Sequence, residues 1–262
     1  MTTLPLVHPD RKEVSSFQPI KALRHFRNLV ADKEDTEQVF HIVRALSGKG
    51  FVKRAEAFWN SECGKAVLAE KKGLPERLDN HDALRKLPAG SVGCTYVDFM
   101  EREGLTAQGL VDEYEKFGAK IDRYDDLLEH YGHRLRDTHD LFHVLTGYGR
   151  DALGEASVLA FSYSQNPNLG TIFIAYAAGR EIKRGLPSGV PIFGSIREAQ
   201  NNGKLAEKIA HQDIMTLLTM PLDEARAKLN IKPPTNYNRA HDMMRAGGID
   251  PYDMLGQQAA AA

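Results

Sequence analysis

The chain has 262 residues, 42% of them hydrophobic and 26% charged, with a formal net charge of -1. That balance is ordinary for a globular protein long enough to bury a substantial core, and it gives no reason to expect nucleic acid as a partner. Two cysteines, Cys63 and Cys94, do not make a disulfide framework and suit a reducing compartment.

The opening M-T-T-L-P-L-V-H-P-D lacks the apolar core of a secretory signal. No Arg- and Ser-rich, acid-poor transit segment is recognisable either, so the expected location is the bacterial cytoplasm. No apolar run reaches the ~20 residues needed to span a bilayer. The nearest candidate, 156–178, is broken by Gln165-Asn166-Pro167-Asn168.

Residues 1–16 are polar and read as a flexible segment. A first helix is expected from about Phe17 to Val30, with Ala22, Leu23, Phe26, Leu29 and Val30 on one face. Asp35 with Gln38 reads as a capping box for a second, whose stripe is Val39, Ile42, Val43 and Leu46. Residues 51–71 read as one helix whose aromatics Phe51, Phe58 and Trp59 suit core packing better than a ligand groove. Leu87-Pro88-Ala89-Gly90 is a loop leading to Tyr96, Val97, Phe99 and Met100. Thr106 caps a helix ended by Gly118, and residues 122–133 repeat the pattern.

A helix over 138–146, a second capped by Asp151, and a long apolar one over about 171–183 follow. After the Pro/Gly-rich 185–194 come a helix or two over 196–219 and a shorter one over 222–229. Pro233-Pro234 mark a break, and 247–262 reads as a flexible tail. Every strong period is helical and no β alternation or repeat occurs. The fold class is therefore all-α, with one multi-helix domain over 17–246 and a helical hairpin carrying its chemistry.

That chemistry lies in R-L-R-D-T-H-D-L-F-H-V-L-T-G-Y-G-R-D-A-L-G-E, residues 134–155. On a helix, His139, Asp140 and His143 share an arc of about 100°, opposite Leu141, Val144 and Leu145. Glu155 is the only charged residue between Ala152 and Gly179. A lone carboxylate in so apolar a segment is costly to bury unless it is paired or binds a cation. Two imidazoles and two carboxylates across the hairpin make a site for one divalent metal: Zn, Fe, Mn or Co. His139, Asp140, His143 and Glu155 are the candidate ligands. Asp140 is either a ligand or a base beside the ion, and Asp137 is a weaker candidate for orienting the ligands. No substrate-binding residue is assigned. The bland alternative is the wet face of a surface helix, and the isolation of Glu155 weighs against it.

H-D-x-x-H followed by eleven residues and Glu resembles the signature of the Coq4 family of ubiquinone-biosynthesis proteins, bacterial branch. Residues 35–42 (D-T-E-Q-V-F-H-I), 87–99 (L-P-A-G-S-V-G-C-T-Y-V-D-F) and 221–231 (P-L-D-E-A-R-A-K-L-N-I) also resemble family segments. Together they cover roughly 17–231. Ile214-Met215 stand where the family often has Trp-Glu. The resemblance implies an all-α metal-dependent decarboxylase, a lyase acting oxidatively with hydroxylation at C1 of a polyprenylated 4-hydroxybenzoate-derived ring. It also implies a prenylated aromatic lipid as substrate, a place peripheral to the inner membrane, other ubiquinone-biosynthesis proteins as partners, and a homo-oligomer.

Two other readings compete. One is a non-catalytic, lipid-binding scaffold that gathers ubiquinone enzymes. The other is an HD-type metal phosphohydrolase, drawing on His81-Asp82, His139-Asp140 or His241-Asp242 with His41 and Asp213. Its spacing has no support and leaves His143 and Glu155 unexplained. Arg180, Lys183 and Arg184 could hold an anion, but a solvated helix end suits them better.

Overall fold

A computed structural model describes residues 4–11, 17–31, 35, 37–48, 50–70, 72–118 and 122–253. Its helices are α1 (Pro19–Ala31), α2 (Glu37–Ala45), α3 (Gly50–Trp59), α4 (Glu62–Ala69), α5 (Leu74–Leu78), α6 (His81–Leu84), α7 (Val92–Glu103) and α8 (Ala107–Gly118). They continue as α9 (Leu127–Asp137), α10 (His139–Thr146), α11 (Ala152–Gln165), α12 (Leu169–Arg184), α13 (Ile192–Leu205), α14 (Ile214–Thr219), α15 (Leu222–Lys228) and α16 (Thr235–Ala246). No strand occurs among the described residues, which bears out the all-α class; one isolated bridge pairs Ser91 with Pro221.

The main core joins α7, α10, α11, α13 and the C-terminal helices around Tyr96, Leu141, Leu145, Phe161, Ile196 and Leu217. Helix α11 is buried on most sides and packs chiefly on α13 and α12. That placement explains why its sequence is apolar almost all round. The apolar runs 156–163 and 171–178 contribute Val158, Ala160, Phe161, Ile174 and Ala175 to the buried interior. Smaller clusters join α1, α2 and α12, and α3 with α9.

Local signals explain most helix ends. Ser91 caps α7 by accepting from Cys94 N, and Gly104 closes it at φ 67°. Asp126 caps α9 by accepting from Glu129 N at 2.9 Å and also takes the Arg11 guanidinium at 2.7 Å, tying residues 4–11 to that helix. Residues 1–3 and 12–16 of the expected flexible segment, and 254–262 of the expected tail, lie outside the described residues.

The single helix expected over 51–71 is instead two, α3 and α4. Ser61 starts α4 by accepting from Gly64 N at 3.1 Å, and a Cβ on Gly64 would sit 2.1 Å from the Phe58 carbonyl oxygen. The reversal therefore needs a glycine there. Phe58 and Trp59 are core residues, and the Trp59 indole donates to the Leu127 carbonyl at 2.7 Å. Directly after Pro233-Pro234 the chain forms α16, which reaches back to the hairpin.

Candidate metal centre

Helix α10 is anchored by its apolar face. Leu141 and Leu145 are fully buried, with Phe142 and Val144 nearly so. That anchoring turns His139 and Asp140 to a half-exposed side, while His143 lies buried one turn on. Gly147 ends the helix at φ 79°, a left-handed conformation that costs glycine little. Arg226 of α15 donates from Nε to the Leu145 carbonyl at 2.9 Å and from Nη2 to that of Val144 at 3.2 Å. A cation there satisfies carbonyls that the helix end leaves free.

Four residues later Asp151 starts α11, its Oδ1 accepting from Leu153 N and Gly154 N, each at 3.1 Å. The same carboxylate accepts from the Tyr237 hydroxyl and pairs with His241 Nε2 at 3.1 Å, both on α16. Tyr237 in turn accepts from Gly149 N at 3.0 Å. One buried carboxylate thus fixes the loop, the start of α11 and the packing of α16. Glu155 follows on the first turn of α11, its N–H donating to the Asp151 carbonyl at 2.9 Å.

The outcome is a convergent donor set. One Nε2 or Nδ1 of His139, one of His143 and a carboxylate oxygen of Glu155 lie within 4.8 Å of one another. It is the one such group of three or more His, Cys, Asp or Glu among the described residues. Glu155 Oε2 is 3.6 Å from His143 Nε2 and 3.9 Å from His139 Nε2. Ligand atoms ~2 Å from a shared ion sit roughly 3–3.5 Å apart, so the two carboxylate–imidazole distances already approach that spacing. The His143 Nδ1 lies 3.0 Å from the Tyr148 carbonyl, which can only accept. Nδ1 therefore carries a proton, and in the neutral ring Nε2 presents its lone pair towards Glu155. Phe99 stacks on the His143 ring at 5.5 Å.

Burial works against charge on His143, but the Glu155 carboxylate and the Tyr148 carbonyl outweigh it and raise its pKa. Burial, reinforced by the charge of His143, lowers that of His139. Burial alone would raise Glu155, yet the charge of His143 holds it below the usual carboxylate range.

Asp140 is not in the convergent group, though its charge favours the protonated form of both imidazoles. Asp137 is paired with Arg136 at 2.6 Å, and burial raises its pKa. The residues of the phosphohydrolase reading are dispersed. His41 faces Glu37 on its own helix, His81 faces Glu101, and Asp213 caps α14. Arg184 pairs with Glu181, and Lys183 lies over Phe193.

Three contributors escaped the sequence reading: Tyr237, Arg150 and the role of His241. His241 stood out for its neighbour Asp242, but its partner is Asp151, 90 residues away. Arg150 lies at the open side of the centre, Nε 3.6 Å from Glu155 Oε1. The far side of His143 borders a cleft of about 750 Å³ lined by Phe99, Arg102, Tyr148, Tyr237 and Arg245, which neither His139 nor Glu155 reaches.

The fold and site thus define a helical protein with a histidine–carboxylate centre on a hairpin. The chain belongs to the Coq4 family: the profile described as "Coenzyme Q (ubiquinone) biosynthesis protein Coq4" matches residues 30–235. Membership carries a role in ubiquinone biosynthesis. A mitochondrial Coq4 homologue of Aedes aegypti is 36% identical over 99 residues, 38% of this chain and 34% of that protein. The mitochondrial ubiquinone biosynthesis protein Coq4 of Aspergillus clavatus is 24% identical over 206 residues, 78% and 69% of the two chains. That of Talaromyces stipitatus is 27% identical over 192 residues, 72% of this chain and 63% of its own length. The chain thus spans from about a third to about two thirds of these curated relatives' own lengths.

A solved structure from Nostoc punctiforme, named for ubiquinone biosynthesis, shares the fold at TM-score 0.59 and 19% identity. The match covers 83% of this chain and 100% of that one.

These relatives correct the expected location in the bacterial cytoplasm, peripheral to the inner membrane, because the curated ones are mitochondrial proteins. The expectation rested on the composition of the first residues, part of which lie outside the described ones. Among the described residues no helix is long and apolar enough to cross a membrane.

Proposed function

We propose that the chain removes the C1 carboxylate from a polyprenylated 4-hydroxybenzoate-derived ring as carbon dioxide, coupled to hydroxylation at that carbon by dioxygen with a two-electron reductant taking the second oxygen atom to water, and with one divalent ion held by His139, His143 and Glu155. The observation that carries this reading is the convergence of those three donors around a His143 tautomer fixed by Tyr148. Zn, Fe, Mn and Co all suit such a mixed nitrogen and oxygen set. Bound there, the ion would supply a Lewis-acidic or redox-active centre beside the ring.

The chain's own residues do the rest. Aryl decarboxylation leaves negative charge on the ring carbon as carbon dioxide departs, so the barrier falls when that charge is withdrawn. Glu155 limits the excess positive charge, and the Tyr148 carbonyl keeps His143 in the binding tautomer. Asp140, outside the donor set but one residue from His139, is the candidate for taking or returning a proton. A prenylated aromatic lipid as substrate, other ubiquinone-biosynthesis proteins as partners and a homo-oligomeric state belong to the same proposal.

Metabolite analysis of a strain lacking the gene tests it. The strain should accumulate a prenylated ring that still bears its carboxylate, and Asp140→Asn or Glu155→Gln should fail to clear it. A precursor that has already lost the carboxylate would show that the reaction is misnamed. Full complementation by both folded variants would favour the scaffold reading instead.

A further inference from the structure

Arg150 stands beside the donor set, its guanidinium within ion-pair range of Glu155 but making no hydrogen bond to it. It projects from the loop between α10 and α11, and its side chain is 39% exposed. Its Nε lies 3.6 Å from Glu155 Oε1, well beyond the ~2.7–2.9 Å of a charge-assisted hydrogen bond. No hydrogen bond from its five N–H groups reaches any described residue, so the planar fork is available to a ligand. Its position is not accidental slack. Gly149 N donates to Tyr237 and Asp151 is held by Tyr237 and His241, so the backbone on both sides of Arg150 is locked. His139 and Glu155 are 30% and 36% exposed on the same open side, whereas His143 is sealed at 1%. A ligand at the exposed edge of Glu155 therefore lies within reach of the guanidinium.

We propose that Arg150 is the residue that recognises the substrate's anionic group, an aryl carboxylate, at the open side of the donor set. The proposal rests on the decarboxylase reading for its ligand class. The physical argument has two parts. A guanidinium fork matches a carboxylate in shape and charge, and water-exposed lysines or a lone helix end offer no such pairing. A cation also does nothing to help a divalent ion bind a few ångströms away. It repels the ion, so its presence in this loop is better explained by an anionic ligand than by the metal. Pairing with Arg150 stabilises the bound carboxylate before it leaves, so loss of the pairing raises KM without lowering kcat.

The test uses the full chain loaded with zinc and measures equilibrium binding of 4-hydroxybenzoate and of the uncharged 4-hydroxybenzamide by titration calorimetry. The wild type should bind the benzoate more tightly. Arg150→Gln should lose roughly tenfold or more of the benzoate affinity with the amide unchanged, and Arg150→Lys should restore part of it. Zinc affinity of Arg150→Gln should be equal or higher.

Four results would overturn the proposal: no benzoate binding by the wild type, equal losses for acid and amide, unchanged benzoate affinity in Arg150→Gln, or zinc affinity that falls with it. The last would mean that Arg150 acts by holding Glu155. Inorganic pyrophosphate that binds more tightly than benzoate through Arg150 would make this a phosphate site and overturn the carboxylate assignment. An Arg150-dependent benzoate site in a protein that releases no carbon dioxide would leave the anion site standing and the decarboxylase reading refuted.

Discussion

The His143 imidazole donates from Nδ1 to the Tyr148 carbonyl at 3.0 Å, across the turn that ends α10. This hydrogen bond settles which nitrogen faces Glu155 and so makes a helix-borne histidine into a preset ligand. Elemental analysis of gently purified protein should find about one divalent ion per chain. His143→Ala and Glu155→Ala should each lose most of it. Full metal content in either variant would remove that residue from the centre.

Asp151 supports the centre from behind. Asp151→Ala removes a helix cap and strands the Tyr237 hydroxyl and His241, both buried. A cap is worth about 1 kcal/mol and an unsatisfied buried polar group about 1–3 kcal/mol. Denaturant melts should show a loss of roughly 2–4 kcal/mol, and metal should bind more weakly because the first turn of α11 carries Glu155. Unchanged stability would show that Asp151 is not the link between α11 and α16.

Gly154 permits the closest approach in the hairpin. A Cβ there would lie 2.0 Å from the Gly149 carbonyl oxygen, a backbone atom with nowhere to move. Gly154→Ala should cost at least ~2 kcal/mol, because overpacking of this kind displaces backbone. It should also disturb metal binding, since Glu155 is the next residue. Wild-type stability and metal affinity in the alanine variant would show that the two segments are looser than they stand here.

The histidine pair was legible because i and i+4 share a helix face, and Glu155 because it is alone in an apolar stretch. What the sequence hid is long-range. Nothing near Asp151 announces that Tyr237 and His241, 86 and 90 residues on, complete its environment. Asp140 shares an arc with the histidines on a helical wheel, but an arc about 100° wide does not bring every side chain on it to one point, and Glu155 approaches elsewhere. The split into α3 and α4 escaped for a different reason: the Ser61 cap and the contact at Gly64 interrupt a pattern whose hydrophobic period continues through them.

Two half-buried histidines away from the centre weaken the fold as the pH falls. Burial, with help from Arg136, pushes His133 down to about 4, and burial with Lys208 and Arg134 does the same to His211. Both folded values lie below the ordinary 6.5, so the unfolded chain takes up these protons first. The associated stability is present above pH ~6.5 and is lost as pH falls towards ~4, of order 2–3 kcal/mol for each group. Denaturant melts between those limits should show the decline, with a shallower slope in His133→Asn. A slope that the substitution leaves unaltered would assign the decline to other groups.

The central claim is that the hairpin centre removes a ring carboxylate, and the most direct measurement is release of labelled carbon dioxide. Purified chain, loaded in turn with Fe, Mn, Co and Zn and supplied with dioxygen and a two-electron reductant such as ascorbate, would be given a prenylated 4-hydroxybenzoate labelled at the carboxyl carbon. The account predicts labelled carbon dioxide with at least one metal and a matching ring product hydroxylated at C1. Release should stop on chelation and be abolished in Glu155→Gln. Metal bound at His139, His143 and Glu155 with no label released under any of these conditions would contradict it.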